Sequence, residues 1–273
     1  MSETLHKDHE IVLPNIQLDA GRNVLKRLGG DLLAAGAASL VAAPIVSVMD
    51  TAITQNAAGT VSLRASVRNS IAEMGPGYLR TPQFRWIWFV YGSTYAAANV
   101  ADTVSEARGV DRFLPVLCAS TAVNTSAAIA KDSAFAKMFG SGAPRRVPGA
   151  SYALWLARDA VSMACIFALP PYIALYMQER AGYTERSSQL FAQLGTPVAA
   201  QATVTWLHLG GLDHYNRRGV SINARIEFLR AEYGKTLVAR IARGLSPYFL
   251  GAVINKDARK AMHQLACRDR ASS

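Results

Sequence analysis

Charged residues are scarce in this chain of 273 residues: they make up 18% of the sequence, whereas hydrophobic residues make up 51%. Soluble domains carry closer to a quarter charged residues. The shortage is concentrated in five runs that contain no Asp, Glu, Lys or Arg: 32–49, 86–101, 113–130, 160–178 and 187–212. Since a helix needs roughly 20 mostly apolar residues to cross a bilayer, these runs indicate membrane-spanning helices.

A sixth window, 236–255, is weaker because Arg240 and Arg243 interrupt it. Alanine is abundant in the windows, and alanine favours helix over strand. The sequence therefore predicts an all-α fold, a bundle of six transmembrane helices. The mean hydropathy of +0.12 is also compatible with a soluble, alanine-rich helical protein, so composition alone leaves that alternative open.

Cysteine is also rare. Cys118, Cys165 and Cys267 are scattered and odd in number, which gives no sign of a disulfide framework or a zinc site. The sequence contains no phosphate-binding loop and no recognisable spacing of nucleophile, histidine and acid, so we expect neither an enzyme nor a bound cofactor. Basic and aromatic residues are interleaved around Arg85, but inside an apolar window, so we expect no binding of nucleic acid.

The first 15 residues are mixed in charge and have no apolar stretch. This pattern is not that of a cleavable signal peptide, and its acidic residues are not typical of a mitochondrial transit peptide. We therefore expect the targeting information to lie within the chain.

The segments between the windows alternate in length. Long amphipathic inserts at 62–77, 131–149 and 213–235 follow the first, third and fifth windows, and short polar linkers at 102–112 and 179–186 join the others. This spacing predicts three helical hairpins, each with a basic insert containing a surface helix on the same side of the membrane. The formal net charge of +10 indicates an anionic partner, either anionic membrane lipid, with cardiolipin among the candidates, or a small anionic solute.

Three hairpins with surface helices are the plan of the mitochondrial carrier family, which this sequence resembles. Pro44 and Gln55 stand where the family has Pro and Gln in an odd-numbered helix, although Val46 and Met49 occupy the positions of the charged motif residues. Pro197 repeats this partial match in the third hairpin.

The strongest local similarity to the carriers lies in the second hairpin. Residues 156–167, which include Arg158 and Asp159, resemble an even-numbered carrier helix. The resemblance implies a threefold repeat with the following segments: an N-terminal tail (1–27), three carrier-like repeats (28–108, 109–182 and 183–265) and a C-terminal tail (266–273).

The resemblance also implies where the functional residues lie. Carriers bind substrate on their even-numbered helices, which makes Arg85, Trp155 and Arg243 the expected substrate-binding residues. The expected structural or gate residues are Pro44, Gln55, Lys131, Asp132, Arg158, Asp159 and Pro197. Charge inside a membrane span is costly and marks function by default. Three alternatives stay open: Arg158 and Asp159 form a structural pair, Lys131 and Asp132 form a solvated surface pair, and the other arginines reach the lipid headgroups.

For function, the resemblance implies a multi-pass protein of the mitochondrial inner membrane that transports a small anionic metabolite. The incomplete charged motifs favour an alternative, a transport-inactive homologue that serves as a structural subunit of a membrane protein complex. The soluble helical protein is the third alternative.

Overall fold

The computed structural model describes the backbone of residues 13–268 and the side chains of residues 23–266, apart from 167, 168, 245, 248 and 249. Strands are absent from this range, which confirms the all-α prediction. The α-helices are α1 (Leu13–Ala57), α2 (Leu63–Ala72), α3 (Pro82–Ala107), α4 (Phe113–Phe139), α5 (Gly149–Met163), α6 (Leu169–Ala181), α7 (Glu185–Asn216), α8 (Ile222–Leu245) and α9 (Ala252–Arg268). Helix α1 therefore includes half of the predicted N-terminal tail, and 269–273 of the predicted C-terminal tail lie outside the described residues.

Fewer helices qualify as membrane spans than the sequence predicted. Within the described residues, Asn23–Ala57 and Phe113–Phe139 are long and apolar enough to cross a membrane, and the bent pair formed by α5 and α6 adds a third if it counts as one span. The prediction of six spans is therefore not confirmed. The physical reason is that uncharged does not mean apolar: the long run in α7 contains polar residues such as Gln193, Gln201 and His208.

The predicted inserts also differ from one another. Only the first contains a separate helix among the described residues: α2, which begins after Ser62, whose hydroxyl caps the amide of Ala65. The second insert starts as the last turns of α4 and continues as a non-helical segment at 140–148. The third consists of the last turn of α7, a short turn at 217–221 and the first half of α8. The threefold repeat with three surface helices is therefore not confirmed.

The long helical runs close into a ring. Helix α1 packs on α3, α3 on α4, α4 meets α5, α5 and α6 pack on α7, α7 packs on α8, and α9 returns to α1. At one end the ring is filled by a core that contains Ile53, Trp155, Leu212 and Tyr215. Gly211 is needed there because a Cβ atom at this position would overlap the indole of Trp155.

Proline interrupts the regular helix at two places beside the interior of the ring. Helices α5 and α6 bend by 43° across a π-helical segment, Ala164–Ala168, just before Pro170. A second π-helical segment, Ser246–Gly251, joins α8 to α9 and contains Pro247. Proline has no N–H and its ring clashes with the carbonyl four residues earlier, so both segments depart from α-helical hydrogen bonding. Ile166 and Pro247 from these segments line the central cavity.

Candidate functional site

A cavity of about 260 Å³ lies inside the ring of helices. One wall, formed by α3 and the first part of α4, is apolar or neutral and includes Val90, Thr94 and Asn124. The rest of the lining is charged, and the charged residues that contribute to it are Asp50, Lys131, Arg158, Asp159, Arg240 and Arg243. Because charged groups are expensive to bury, this concentration marks the cavity as the candidate site.

Asp50 of α1 joins three helices. It accepts a hydrogen bond from the ammonium of Lys131 on α4, with Nζ 2.7 Å from Oδ2, and it forms an ion pair with Arg243 on α8. Lys131 Nζ also lies 2.5 Å from Oδ1 of its neighbour Asp132. Asp50 and Asp132 are both 2% exposed, so these contacts replace water almost completely.

Arg158 of α5 extends this network. Its guanidinium pairs with Asp132, and its Nε and Nη2 each lie 2.8 Å from Oδ1 of Asp159. Its Nη1 is also 2.8 Å from Nδ1 of His208 on α7. A guanidinium can only donate, so Nδ1 of His208 must accept, and the imidazole is neutral with its proton on Nε2. We call Asp50, Lys131, Asp132, Arg158, Asp159 and Arg243 the cavity cluster.

Arg240 of α8 stands apart from the cavity cluster, although it lines the same cavity. Its Nε donates to Oε1 of Gln201, at 3.1 Å. The amide of Gln201 is held in that orientation because its Nε2 donates to the carbonyl of Pro197, at 3.2 Å. Gln201 is neutral, so this contact orients the guanidinium of Arg240 without neutralising it.

The charges around the cavity do not cancel. The cations are Lys131, Arg158, Arg240 and Arg243, and the carboxylates are Asp50, Asp132 and Asp159. One positive charge is therefore in excess. Since Lys131, Arg158 and Arg243 have carboxylate partners, the excess falls on Arg240.

The predicted residues separate into three groups. Arg243, Lys131, Arg158 and Asp159 line the cavity, and Asp132 lies directly behind them. The alternative of a solvated surface pair is wrong for Lys131 and Asp132, because only 5% and 2% of their surfaces are exposed. Their charges are buried because each is neutralised by partners on other helices, a condition that sequence spacing cannot reveal.

Two of the predicted substrate-binding residues lie elsewhere. Arg85 is exposed on α3 and does not line the cavity. Trp155 is fully buried in the core beside Gly211, and its Nε1 has no hydrogen-bond partner among the residues that the structure describes. A substrate role for these two residues stays a prediction that the geometry does not support.

The remaining predicted residues occupy helix positions outside the cavity lining. Pro44 lies within α1 and Pro197 within α7. Gln55 joins α1 to α2, because its Oε1 accepts a hydrogen bond from Ser66 Oγ at 2.6 Å. A gate function for these three residues also stays a prediction.

Sequence reasoning did not assign Asp50, Gln201, His208 or Arg240 to the site. Asp50 served only as the end of an uncharged window, and Arg240 was recognised as a charge within a predicted span but was given no role. A usable signal was present, because both residues interrupt segments that would otherwise be apolar. Gln201 and His208 carry no such signal, since their importance follows from the charged side chains they contact.

A second charged cluster lies nearer the N-terminal end of α1. Asp31 is fully buried and accepts hydrogen bonds from Thr103 Oγ1 at 2.6 Å, Arg259 Nε at 2.8 Å and His263 Nε2 at 2.8 Å. Arg27 Nε donates to Nδ1 of His263 at 3.3 Å, which leaves the imidazole proton on Nε2. We call Asp31, Thr103, Arg259 and His263 the Asp31 cluster. It joins α1, α3 and α9, and it lies about 28 Å from Asp50 along α1, at 1.5 Å per residue.

A basic groove of about 510 Å³ opens on the surface where α5 begins and α7 ends, lined by Arg146, His214, Arg218 and Arg225 among others. Burial and the nearby charge of Arg225 lower the pKa of His214. His214 is therefore neutral near pH 7, and the arginines supply the positive charge of the groove. Anionic lipid as a partner stays a prediction, for which this groove is a suitable place.

A family model described as "Probable citrulline exporter" matches residues 34–263, which is most of the chain. The chain therefore belongs to that family. No curated protein matches it significantly. The match and the apolar helices together make this a membrane protein of a transporter family.

The family match overturns the assignment to the mitochondrial carriers. The shared features were a Pro and a Gln at helical spacing and an Arg-Asp pair, and these recur wherever helices bend or bury charge. The expected location in the mitochondrial inner membrane came from that resemblance and loses its basis with it. The more general expectation of a membrane transporter holds.

Proposed function

We propose, from its membership of the probable citrulline exporter family, that this protein exports citrulline, or an amino acid closely similar to it, through the cavity inside the helix ring. The observation that carries the proposal is the cavity itself. It combines buried cations and carboxylates on one side with a neutral wall on the other. Free amino acids with a neutral side chain have the same division: a carboxylate and an ammonium at one end and an uncharged group at the other.

The charge of the cavity argues against a solute with several negative charges, which narrows the small anionic solute expected from the sequence. Three of its four cations are already paired with carboxylates of the protein. The single excess charge is enough for one carboxylate, and Asp159 offers a carboxylate for an ammonium. A metabolite with two or three negative charges would bury charge without partners, at high cost.

The outer surface of the ring supports placement in a membrane. Large apolar side chains are exposed on the outside of α1 and α6, including Leu32, Leu33, Tyr172 and Leu175. Exposed apolar patches of this kind are rare on soluble proteins and suit contact with lipid. The alternative of a soluble helical protein does not explain them.

The direct test is transport by the purified protein in liposomes. We expect liposomes loaded with radiolabelled citrulline to lose it faster with the protein than without it. Ala128→Trp should block this efflux, because Ala128 lines the cavity. The matched control is Ala122→Trp on the same helix, where the side chain is exposed on the outside, and it should transport normally.

The same assay tests the remaining alternative, a transport-inactive subunit of a membrane complex. Efflux that is equal with and without the protein would contradict the proposed function and favour that alternative. Efflux that is insensitive to Ala128→Trp would show that the solute moves by a path other than this cavity.

A further inference from the structure

In the part of the chain that the structure describes, two buried atoms of charged, cavity-lining side chains have no hydrogen-bond partner. They are Nη1 of Arg240 and Oδ2 of Asp159. Both side chains line the cavity, and only 2% of Arg240 and 5% of Asp159 is exposed. Buried polar atoms in native proteins are almost always satisfied, so an exception calls for a specific explanation.

Arg240 has a free position for an anion. Among the described residues, no carboxylate lies within ion-pair distance of its guanidinium, and its one hydrogen bond to a side chain is to the neutral Gln201. By contrast, Arg158, which lines the same cavity, contacts both Asp132 and Asp159. A planar guanidinium matches the geometry of a carboxylate, which it binds through parallel hydrogen bonds.

Asp159 has a free position for a cation. Arg158 directs both of its contacts to Oδ1, so Oδ2 accepts nothing. Arg158 also serves Asp132, so its single charge is shared between two carboxylates. Asp159, which lines the cavity, therefore keeps part of its negative charge uncompensated.

We propose that Arg240 binds the α-carboxylate of the transported amino acid and that Asp159 binds its α-ammonium through Oδ2. This assignment rests on the proposed function and names the recognition pair of that site. The substrate then satisfies both unpartnered atoms at once. It also gives Arg240 a carboxylate partner and Asp159 a second cationic partner, and because an amino acid zwitterion has no net charge it leaves the total charge of the cavity unchanged.

The same orientation determines which side chains are accepted. With its charged end between α5 and α8, the amino acid directs its side chain to the wall formed by α3 and α4. That wall offers the neutral polar groups of Thr94, Ser120 and Asn124 and has no charged lining residue before Lys131. A neutral, hydrogen-bonding side chain such as the ureido group fits it. A side chain with a full positive or negative charge finds no partner there and is rejected.

Binding of modified ligands to the purified protein tests the two contacts separately. The probes are citrulline, its methyl ester, which lacks the carboxylate charge, and its N-acetyl derivative, which lacks the ammonium. We expect each modification to weaken binding to the wild type at least tenfold. Arg240→Gln should weaken citrulline at least tenfold and leave the affinity for the methyl ester within twofold of the wild type. Asp159→Asn should weaken citrulline at least tenfold and leave the affinity for the N-acetyl derivative within twofold of the wild type.

Folding of the variants can be controlled within the same experiment. Arg240→Gln removes a buried cation that has no carboxylate partner, so the melting temperature should stay the same or rise. Arg240→Lys keeps the charge and should retain more of the citrulline affinity than Arg240→Gln. Arg259→Gln, in the Asp31 cluster, is the matched control and should leave all three affinities unchanged.

Competition tests which side chains the site accepts. Ornithine and glutamate should compete with citrulline at least tenfold more weakly than glutamine does.

The outcomes separate this inference from the proposed function. If the wild type exports citrulline but Arg240→Gln weakens citrulline and its methyl ester equally, the arginine has only a structural role and the inference is overturned. Equal competition by ornithine, glutamate and glutamine would also overturn it. If the wild type neither binds nor exports citrulline, the proposed function fails and the inference fails with it.

Discussion

The two charged clusters of the molecule differ in whether all of their buried polar atoms have hydrogen-bond partners. In the Asp31 cluster, the carboxylate receives three donors, and Arg259 also pairs with Asp102 at 2.6 Å. None of the buried side-chain atoms of this cluster is without a partner. In the cavity cluster, Asp159 keeps an unpartnered oxygen, and Arg240, which lines the same cavity, keeps an unpartnered nitrogen.

The difference follows from position in the ring. The Asp31 cluster joins α1 to α3 and α9, which pack directly against it, so side chains alone can fill the space between them. The cavity cluster joins α1, α4, α5 and α8 around a space of about 260 Å³. The first arrangement stabilises the fold. The second stabilises it and also leaves charges available for a ligand.

The largest expected effect comes from breaking the cavity cluster at its most connected member. Arg158→Ala leaves Asp159 without a cation and Asp132 with only Lys131, and removing one partner of a buried ion pair typically costs about 3–5 kcal/mol. We expect a loss of unfolding free energy of that size, measured by denaturant titration in detergent micelles. An unchanged unfolding midpoint would show that the cluster is not buried as described.

Breaking the Asp31 cluster should cost less. Asp31→Asn keeps the shape of the side chain but loses its charge-assisted hydrogen bonds to Arg259 and His263, which are only partly buried. The expected loss is about 1–3 kcal/mol. Affinity for citrulline should not change. A tenfold fall in that affinity would mean that the two clusters are not functionally distinct.

Double variants sharpen the comparison. Arg158 and Asp132 form an ion pair. The double variant Arg158→Met with Asp132→Leu should therefore be more stable than the sum of the two single effects predicts, by roughly 0.5–3 kcal/mol. Arg158→Met and Asp31→Asn lie in different clusters, so their effects should add to within about 0.5 kcal/mol. Strong coupling between the clusters would contradict their independence.

The smallest effect is expected at the surface. Arg112 is 56% exposed and lies 3.4 Å from Asp102, so Arg112→Ala should change stability by about 0–1 kcal/mol. This variant is the exposed counterpart of Arg158→Ala. A loss as large as that of Arg158→Ala would mean that burial does not determine the strength of these pairs.

Part of this description could be predicted from the sequence. The all-α fold follows from alanine-rich, uncharged runs, and Lys131, Arg158 and Arg243 attracted attention because charge near an apolar run is unusual. The number of spans could not be predicted, because charge counting does not separate polar from apolar uncharged residues. Arg240 was visible as a charged residue, but its importance depends on the absence of a carboxylate within ion-pair distance among the described residues, which only the packing of α7 and α8 reveals.

Family membership was also beyond the reach of residue patterns. The spacing predicted three helical hairpins, but Pro44, Gln55 and Pro197 are compatible with any bundle that contains bent helices. The family match extends over residues 34–263, whereas the resemblance to the carriers depended on a few short patterns.

The most direct test of the central claim, that the substrate binds inside the ring, is protection of a cysteine in the cavity. In a variant with its native cysteines replaced by serine, Ser120→Cys places a thiol in the cavity lining, and Ala143→Cys places one at an exposed position of the 140–148 segment. The account predicts that citrulline slows modification of the thiol at position 120 by a small thiol reagent at least fivefold and leaves position 143 unaffected. Equal modification rates at position 120 with and without citrulline would contradict it.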